Sequence, residues 1–309
     1  MSGAKLAVFV SLCAVTVAFA WYWLASVLHR ARREEGPVGS SEPVGSTLFQ
    51  VLVGFVTNFF DTLGIGSFAP TTSIFKLRRM VPDERIPGTL NVGHTLPTIA
   101  EALIFIAVVQ VGMTTLIAMI AASVLGAWFG AGIVAALPRR TIQLGVGLAL
   151  VVAAGFFAMG NLHLGPAGGE ALSLEGWRLW AGVGGNLVLG ALMTLGIGLY
   201  APCMILVSLL GMNPIAAFPI MMGSCAFLMP AGSIRFIARG SYSLRPALGL
   251  AAGGIPGVLI AAFVVKSLPL TALRWVVVAV VIYTASAMLR SATRASVLEP
   301  PFAPPLADN

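Results

Sequence analysis

Apolar residues fill this chain in long blocks, parted by short joints of charged, Gly, Pro or Ser residues. The first block runs from Leu6 to Leu28 and ends on the basic joint His29-Arg30-Ala31-Arg32-Arg33. Further blocks occupy 47–75, 86–109, 113–137 and 141–160, then 179–211, 214–234, 246–265 and 270–289. A helix that crosses a bilayer needs about 20 apolar residues. Most of these blocks therefore predict spanning helices. Blocks 47–75 and 179–211 do not fit, because each is broken by Gly-Ile-Gly followed by Pro. Glycine costs about 1 kcal/mol and proline about 3 kcal/mol inside a helix. Proline is tolerated at a helix start, so Pro70 and Pro202 open a second half-helix after each break.

The breaks are copies of one another. Thr62-Leu63-Gly64-Ile65-Gly66-Ser67-Phe68-Ala69-Pro70 returns as Thr194-Leu195-Gly196-Ile197-Gly198-Leu199-Tyr200-Ala201-Pro202. Pro87 then matches Pro219, and Leu137-Pro138 matches Leu268-Pro269, in the same order. The reading is an anchor helix at 1–29, a linker at 30–46 and a first repeat at 47–160. An extracytoplasmic linker at 161–176, a second repeat at 177–291 and a disordered Pro-rich cytoplasmic tail at 292–309 follow. The first block is longer than a signal-peptide core and lacks a small-residue cleavage site, which predicts a retained anchor.

Charge decides how the broken blocks run. If every block crosses the membrane, the 18 Lys and Arg residues split 9 to 9 between the two sides. If both broken blocks are re-entrant hairpins, 14 fall on one side and only Lys5, Arg178, Lys266 and Arg274 on the other. Basic residues collect on the cytoplasmic side, so the hairpin arrangement is the expected one. It puts the amino terminus in the periplasm and the carboxyl terminus in the cytoplasm. A hairpin plus three crossings is an odd number of passages, so the second repeat enters from the opposite side. The predicted fold class is an all-α membrane protein of two inverted repeats, each a broken-helix hairpin plus three transmembrane helices, with an extra N-terminal transmembrane helix. Inverted repeats with broken helices meeting at mid-membrane are the plan of many secondary transporters.

The residues that carry the duplication also carry a family resemblance. Gly54-Phe55, Leu63-Gly64-Ile65-Gly66 and Pro70, echoed by Leu195-Gly196-Ile197-Gly198 and Pro202, resemble the TauE/SafE sulfite-exporter family, over about residues 47 to 291. The resemblance implies transport of sulfite, sulfoacetate, organosulfonates or related small anions across a bacterial cytoplasmic membrane. The chain departs from the pattern at Asn58, where many relatives carry Gly, at Ser67, which replaces a third Gly, and in its N-terminal helix.

No Lys or Arg falls at mid-membrane depth, so the positive field for an anion has to come from backbone N–H groups at half-helix starts. Gly64, Gly66, Ser67 and Phe68 form one such tip, and Gly196, Gly198, Leu199 and Tyr200 the other. Asn58, Thr62 and Thr194 add polar side chains beside them. The bland reading is that the glycines merely let helices pack closely. The ionisable residues inside the blocks are Asp61, His94 and Glu101; such residues are costly in a membrane and often functional. Asn91, His94, Thr98 and Glu101 share one helix face. At an offset of 132 their counterparts for His94 and Glu101 are Ala226 and Ser233, so one half holds the titratable groups. Asp61, Asn91, His94 and Glu101 are the candidates for proton coupling; the alternative is that His94 and Glu101 satisfy one another or neighbouring backbone and merely glue helices.

Composition narrows the functions. The chain is 58% hydrophobic and 9% charged, against about 25% charged in soluble domains. Its net charge of +7 is explained by basic cytoplasmic loops, with no nucleic-acid partner implied. Cys13, Cys203 and Cys225 lack metal or disulfide spacing, and no cofactor is predicted. The expected function is a secondary transporter for a small anion, working within the lipid bilayer and compatible with a homodimer, and not an enzyme. A proton- or sodium-coupled importer, a membrane-embedded enzyme using His94 and Glu101, and a scaffold subunit are the rivals.

Overall fold

The computed structural model describes residues 3–32, 47–135, 169–193 and 198–267, with isolated positions between 144 and 162 and between 272 and 290. The tail, most of both linkers, Leu137-Pro138, Leu268-Pro269 and Thr194-Leu195-Gly196-Ile197 lie outside the described residues, as do parts of blocks 141–160 and 270–289. The described chain is helical apart from one isolated bridge between Ala171 and Met212. The helices are α1 Gly3–Arg32, α2 Thr47–Thr62, α3 Phe68–Arg78, α4 Ile86–Val108 and α5 Met113–Ala135. They continue as α6 Gly176–Met193, α7 Tyr200–Leu209, α8 Ala217–Arg239 and α9 Leu244–Ser267.

Among the described residues, four segments are long and apolar enough to cross a membrane: Gly3–His29, Asp83–Val108, Pro214–Arg239 and Leu244–Val264. The apolar stretch Met113–Phe129 of α5 is shorter. The first predicted break falls where Gly64 and Gly66 stand; residues 194–197 of the second lie outside the described residues. Helix α2 ends at Thr62 and α3 starts at Phe68; α6 ends at Met193 and α7 starts at Tyr200. Neither α3, with 11 residues, nor α7, with 10, reaches the length of a span. The starts of α3 and α7 are 132 residues apart, those of α4 and α8 131, and those of α5 and α9 131. Each of α4 and α8 is preceded by a single 3-10 turn, Asp83–Arg85 and Pro214–Ala216. These helix starts thus share the 131–132 residue spacing of the sequence landmarks.

Packing crosses between the halves. Helix α2 lies along α9, and α5 along α6, while α4 packs on α8 between them. Small residues permit the two outer approaches. A Cβ on Gly54 would stand 2.6 Å from Leu250 O, and one on Gly253 would collide with Val51 O. On the other side, added atoms on Gly126 and Gly190 would collide with Leu187 O and Ser123 O. Lipid tails are as apolar as leucine, so such close backbone contact, rather than apolar burial, holds membrane helices together. The bland reading of glycine therefore holds at these four positions, which lie outside the breaks. Helix α1 touches α4, α5 and α8. It buries Val8, Leu12, Phe19 and Trp23 and exposes Val10, Val17 and Trp21. The Trp23 indole donates to the Tyr242 hydroxyl at 3.3 Å.

Candidate functional site

The first break is closed by the residue just before it. After Asp61, the N–H of Gly64 bonds Asp61 O at 2.7 Å and that of Ile65 bonds Phe60 O at 3.2 Å. Gly64 (φ 95°) and Gly66 (φ 87°) then take the left-handed region, where a side chain is strained. This reversal returns the chain to Asp61. Its Oδ1 accepts the Ser67 N–H and its Oδ2 accepts the Ser67 hydroxyl, each at 2.9 Å. Asp61 thereby caps the start of α3 from one helix back. Ser67 lines the cavity described below, with both its N–H and its hydroxyl donating to Asp61.

The remaining polar residues form one connected chain of hydrogen bonds. Thr71 Oγ1 lies 2.7 Å from Ser67 O and 3.1 Å from His94 Nε2. The other ring nitrogen of His94 meets Asn58 Oδ1 at 3.0 Å. Because the Asn58 amide nitrogen donates to Gly54 O at 2.7 Å, Oδ1 is the acceptor and His94 Nδ1 carries a hydrogen. Thr62 Oγ1 lies 2.8 Å from both Asn58 O and Glu101 Oε1. Tyr200, the first residue of α7, donates its hydroxyl to Glu101 Oε2 at 2.8 Å. The chain runs Asp61, Ser67, Thr71, His94, Asn58, Thr62, Glu101, Tyr200, and its last link joins the two halves of the protein. His94, Asn58, Thr62 and Glu101 are fully buried. His94 and Glu101 do not bond each other; Asn58 and Thr62 stand between them.

The two half-helix starts border one cavity. Its volume is about 50 Å³, enough for a few waters. Asp61, Gly66, Ser67 and Phe68 line it from the first break, and Gly198, Leu199, Tyr200 and Ala201 from the second. Thr98 of α4 and Met193, Cys225 and Met229 complete most of the wall. The first N–H groups of a helix have no acceptor within it. Each half-helix carries proline at its third position, Pro70 and Pro202, leaving Phe68 and Ala69 on one tip, and Tyr200 and Ala201 on the other, to present free-turn donors. Thr194 and Gly196 lie outside the described residues. Of the predicted polar stripe, Thr98 reaches the cavity and Glu101 reaches Tyr200 behind it. Asn91 is set apart; its Oδ1 accepts the Ser233 hydroxyl at 3.5 Å, and Ser233 meets Thr95 at 2.9 Å.

A family model described as Sulfite exporter TauE/SafE matches residues 1–157. The chain belongs to the TauE/SafE family. That match takes in α1 through α5, so the N-terminal helix that the sequence reading set before the family core is part of the matched stretch. Membership and the apolar helices together make this a multi-pass membrane protein of a transporter family. No curated protein and no solved structure matches the chain. Sequence reasoning missed three contributors. Thr71 and the Tyr200 hydroxyl become visible only when tertiary contact brings them to His94 and Glu101. Asn186, alone in the Gly-rich run of α6, is buried and donates to Met119 O at 2.7 Å and the Ser224 hydroxyl at 3.2 Å, tying α6 to α5 and α8. A lone amide in an apolar helix was its available signal.

Proposed function

We propose that this TauE/SafE protein is a secondary transporter that moves a small anion, sulfite or a related sulfur oxoanion or organosulfonate, across the bacterial cytoplasmic membrane by alternating access. Residues 47–160 and 177–291 act as two inverted repeats, and the broken segments enter as re-entrant hairpins from opposite sides. The observation that carries this reading is the shared cavity. The starts of two duplicated half-helices, Phe68 and Tyr200, border one small space. Helix starts attract negative charge, by about 0.3–1 kcal/mol when exposed and up to about 2 kcal/mol when partly buried. Irregular backbone at membrane depth is tolerated where protein buries it or where it lines a watery cavity.

Direction follows from energy. A membrane potential negative inside favours loss of one negative charge by about 2.3 kcal/mol per 100 mV, so export runs without a coupling ion. Asp61 beside the cavity supports a second reading, in which a proton accompanies the anion and import becomes feasible. Flux of labelled sulfite into and out of proteoliposomes tests the proposal. Saturable flux that is lost when the cavity is filled at Gly198 is the expected result. Absence of flux for sulfite and for competing sulfonates would overturn it, and product formation without flux would point to an enzyme.

A further inference from the structure

Hydrogen counting around Glu101 leads past the transport reading to the proton itself. Thr62 owns one hydroxyl hydrogen, yet its oxygen is 2.8 Å from two acceptors, Asn58 O and Glu101 Oε1. Tyr200 spends its single hydrogen on Oε2. If Glu101 were ionised, one of the two Thr62 contacts would set lone pair against lone pair. If Oε1 carries a hydrogen, every donor is used once. Glu101 donates to Thr62, Thr62 donates to Asn58 O, and Tyr200 donates to Oε2.

The surroundings point the same way. Glu101 is fully buried, and a buried carboxylate needs a compensating charge or ample donors. From α2 it faces Asp61, another acid, and Thr62; from α7 it faces Tyr200; across the cavity α8 brings Cys225. His94, on its own helix, is engaged by Thr71 and Asn58. Helix α5 contains no titratable side chain, those of α9 are Arg245 and Lys266 near its ends, and those of α3 are Lys76 and Arg78 in its last turn. No cation reaches the carboxyl among the described residues.

We propose that Glu101 is the proton-carrying group of this transporter, and that Tyr200 is a positioning residue that ties the start of the second half-helix to the protonated carboxyl. Loss of this proton to water leaves a carboxylate, with Glu101 itself standing behind Tyr200 and outside the cavity wall. The carboxylate then competes with Asn58 O for the Thr62 hydrogen, so the Thr62 contact is remade each time the proton leaves, while Tyr200 keeps donating to Oε2. The role in transport rests on the function proposed above; the location of the proton does not.

Infrared spectroscopy of the full-length protein in liposomes tests it without any substrate. At neutral pH a carboxylic-acid carbonyl band is expected. It should vanish in Glu101→Gln, remain in Asp61→Asn, and move to higher frequency in Tyr200→Phe, which removes the donor to Oε2. No such band, or a band that survives Glu101→Gln, overturns the proposal. Should Glu101→Gln fail to fold, Tyr200→Phe decides alone, and an unmoved band overturns it. Labelled-sulfite flux under an imposed pH gradient separates the two ideas. Loss of the gradient response in Tyr200→Phe, with the band shifted, supports both. The expected band in a protein that carries no sulfite overturns the transport reading and keeps the proton on Glu101.

Discussion

Asp61 accepts both the N–H and the hydroxyl of Ser67, six residues ahead of it, at 2.9 Å each. One carboxylate thus closes the turn between α2 and α3 and caps the second of them. In the sequence, Asp61 reads as a proton acceptor beside a hairpin tip. The contact adds a structural duty, and the two duties separate by substitution.

Asp61→Ala leaves the buried Ser67 donors without an acceptor, an arrangement that costs about 1–3 kcal/mol. Asp61→Asn keeps one acceptor for the N–H and lets the Ser67 hydroxyl turn to accept from the amide, so it loses less. Unfolding in detergent should rank wild type above Asn and Asn above Ala. Equal losses for the two variants would show that the turn does not depend on the Asp61 acceptor.

Gly66 and Gly198 occupy matched places but differ physically. An added Cβ meets nothing at either one, whereas only Gly66 has left-handed backbone. Gly66→Ala therefore carries a strain of about 1–2 kcal/mol, and Gly198→Ala carries none. Gly198→Leu adds bulk at the cavity wall, and we expect it to abolish flux with a stability change within about 0.5 kcal/mol. Thermal unfolding and flux, measured on the same preparation, check both halves of this statement.

Asn58 bonds Gly54 O and the His94 ring through opposite ends of one amide. Asn58→Ala strands His94 Nδ1 and is expected to cost about 2 kcal/mol, in the range for a buried donor left without a partner. Asn58→Ala combined with His94→Ala should cost less than the sum of the single changes. An additive double mutant would show that the pair is not coupled.

Topology is checked by labelling. In a background lacking Cys13, Leu77→Cys is expected to react from the cytoplasmic side and Leu209→Cys from the periplasmic side; both parent residues are exposed. Labelling of both positions from one side would contradict inverted hairpins.

Much of the fold was legible because helix breaks are written locally. Gly64 and Gly66 stand between α2 and α3 with Pro70 in the first turn of α3, and recurrence of this run in the sequence predicts the second break. What occupies the site was less legible. Asp61 meets Ser67 only after the left-handed turn at Gly64 and Gly66, a backbone conformation that the residue types permit but do not dictate. The Thr62–Glu101 and Glu101–Tyr200 contacts join residues 39 and 99 positions apart. Their pairing depends on helix rotation and depth, which hydrophobic blocks do not encode. Of the residues read as ligand donors, Asn58 and Thr62 are bonded to each other, to His94 and to Glu101, whereas Ser67 is held by Asp61 and also lines the cavity.

The crossed packing has a consequence for how the protein is made. Helix α2 is complete once residue 62 has been synthesised, yet the glycine face that receives it belongs to α9, Leu244–Ser267. Until that helix leaves the ribosome, the Val51 and Gly54 side of α2 has no permanent cover and has to wait at the insertion machinery or against a temporary neighbour. Contacts so distant along the chain form late and slowly. Truncation before α9 should therefore destabilise the earliest broken helix most, and leave a half-protein marked for degradation.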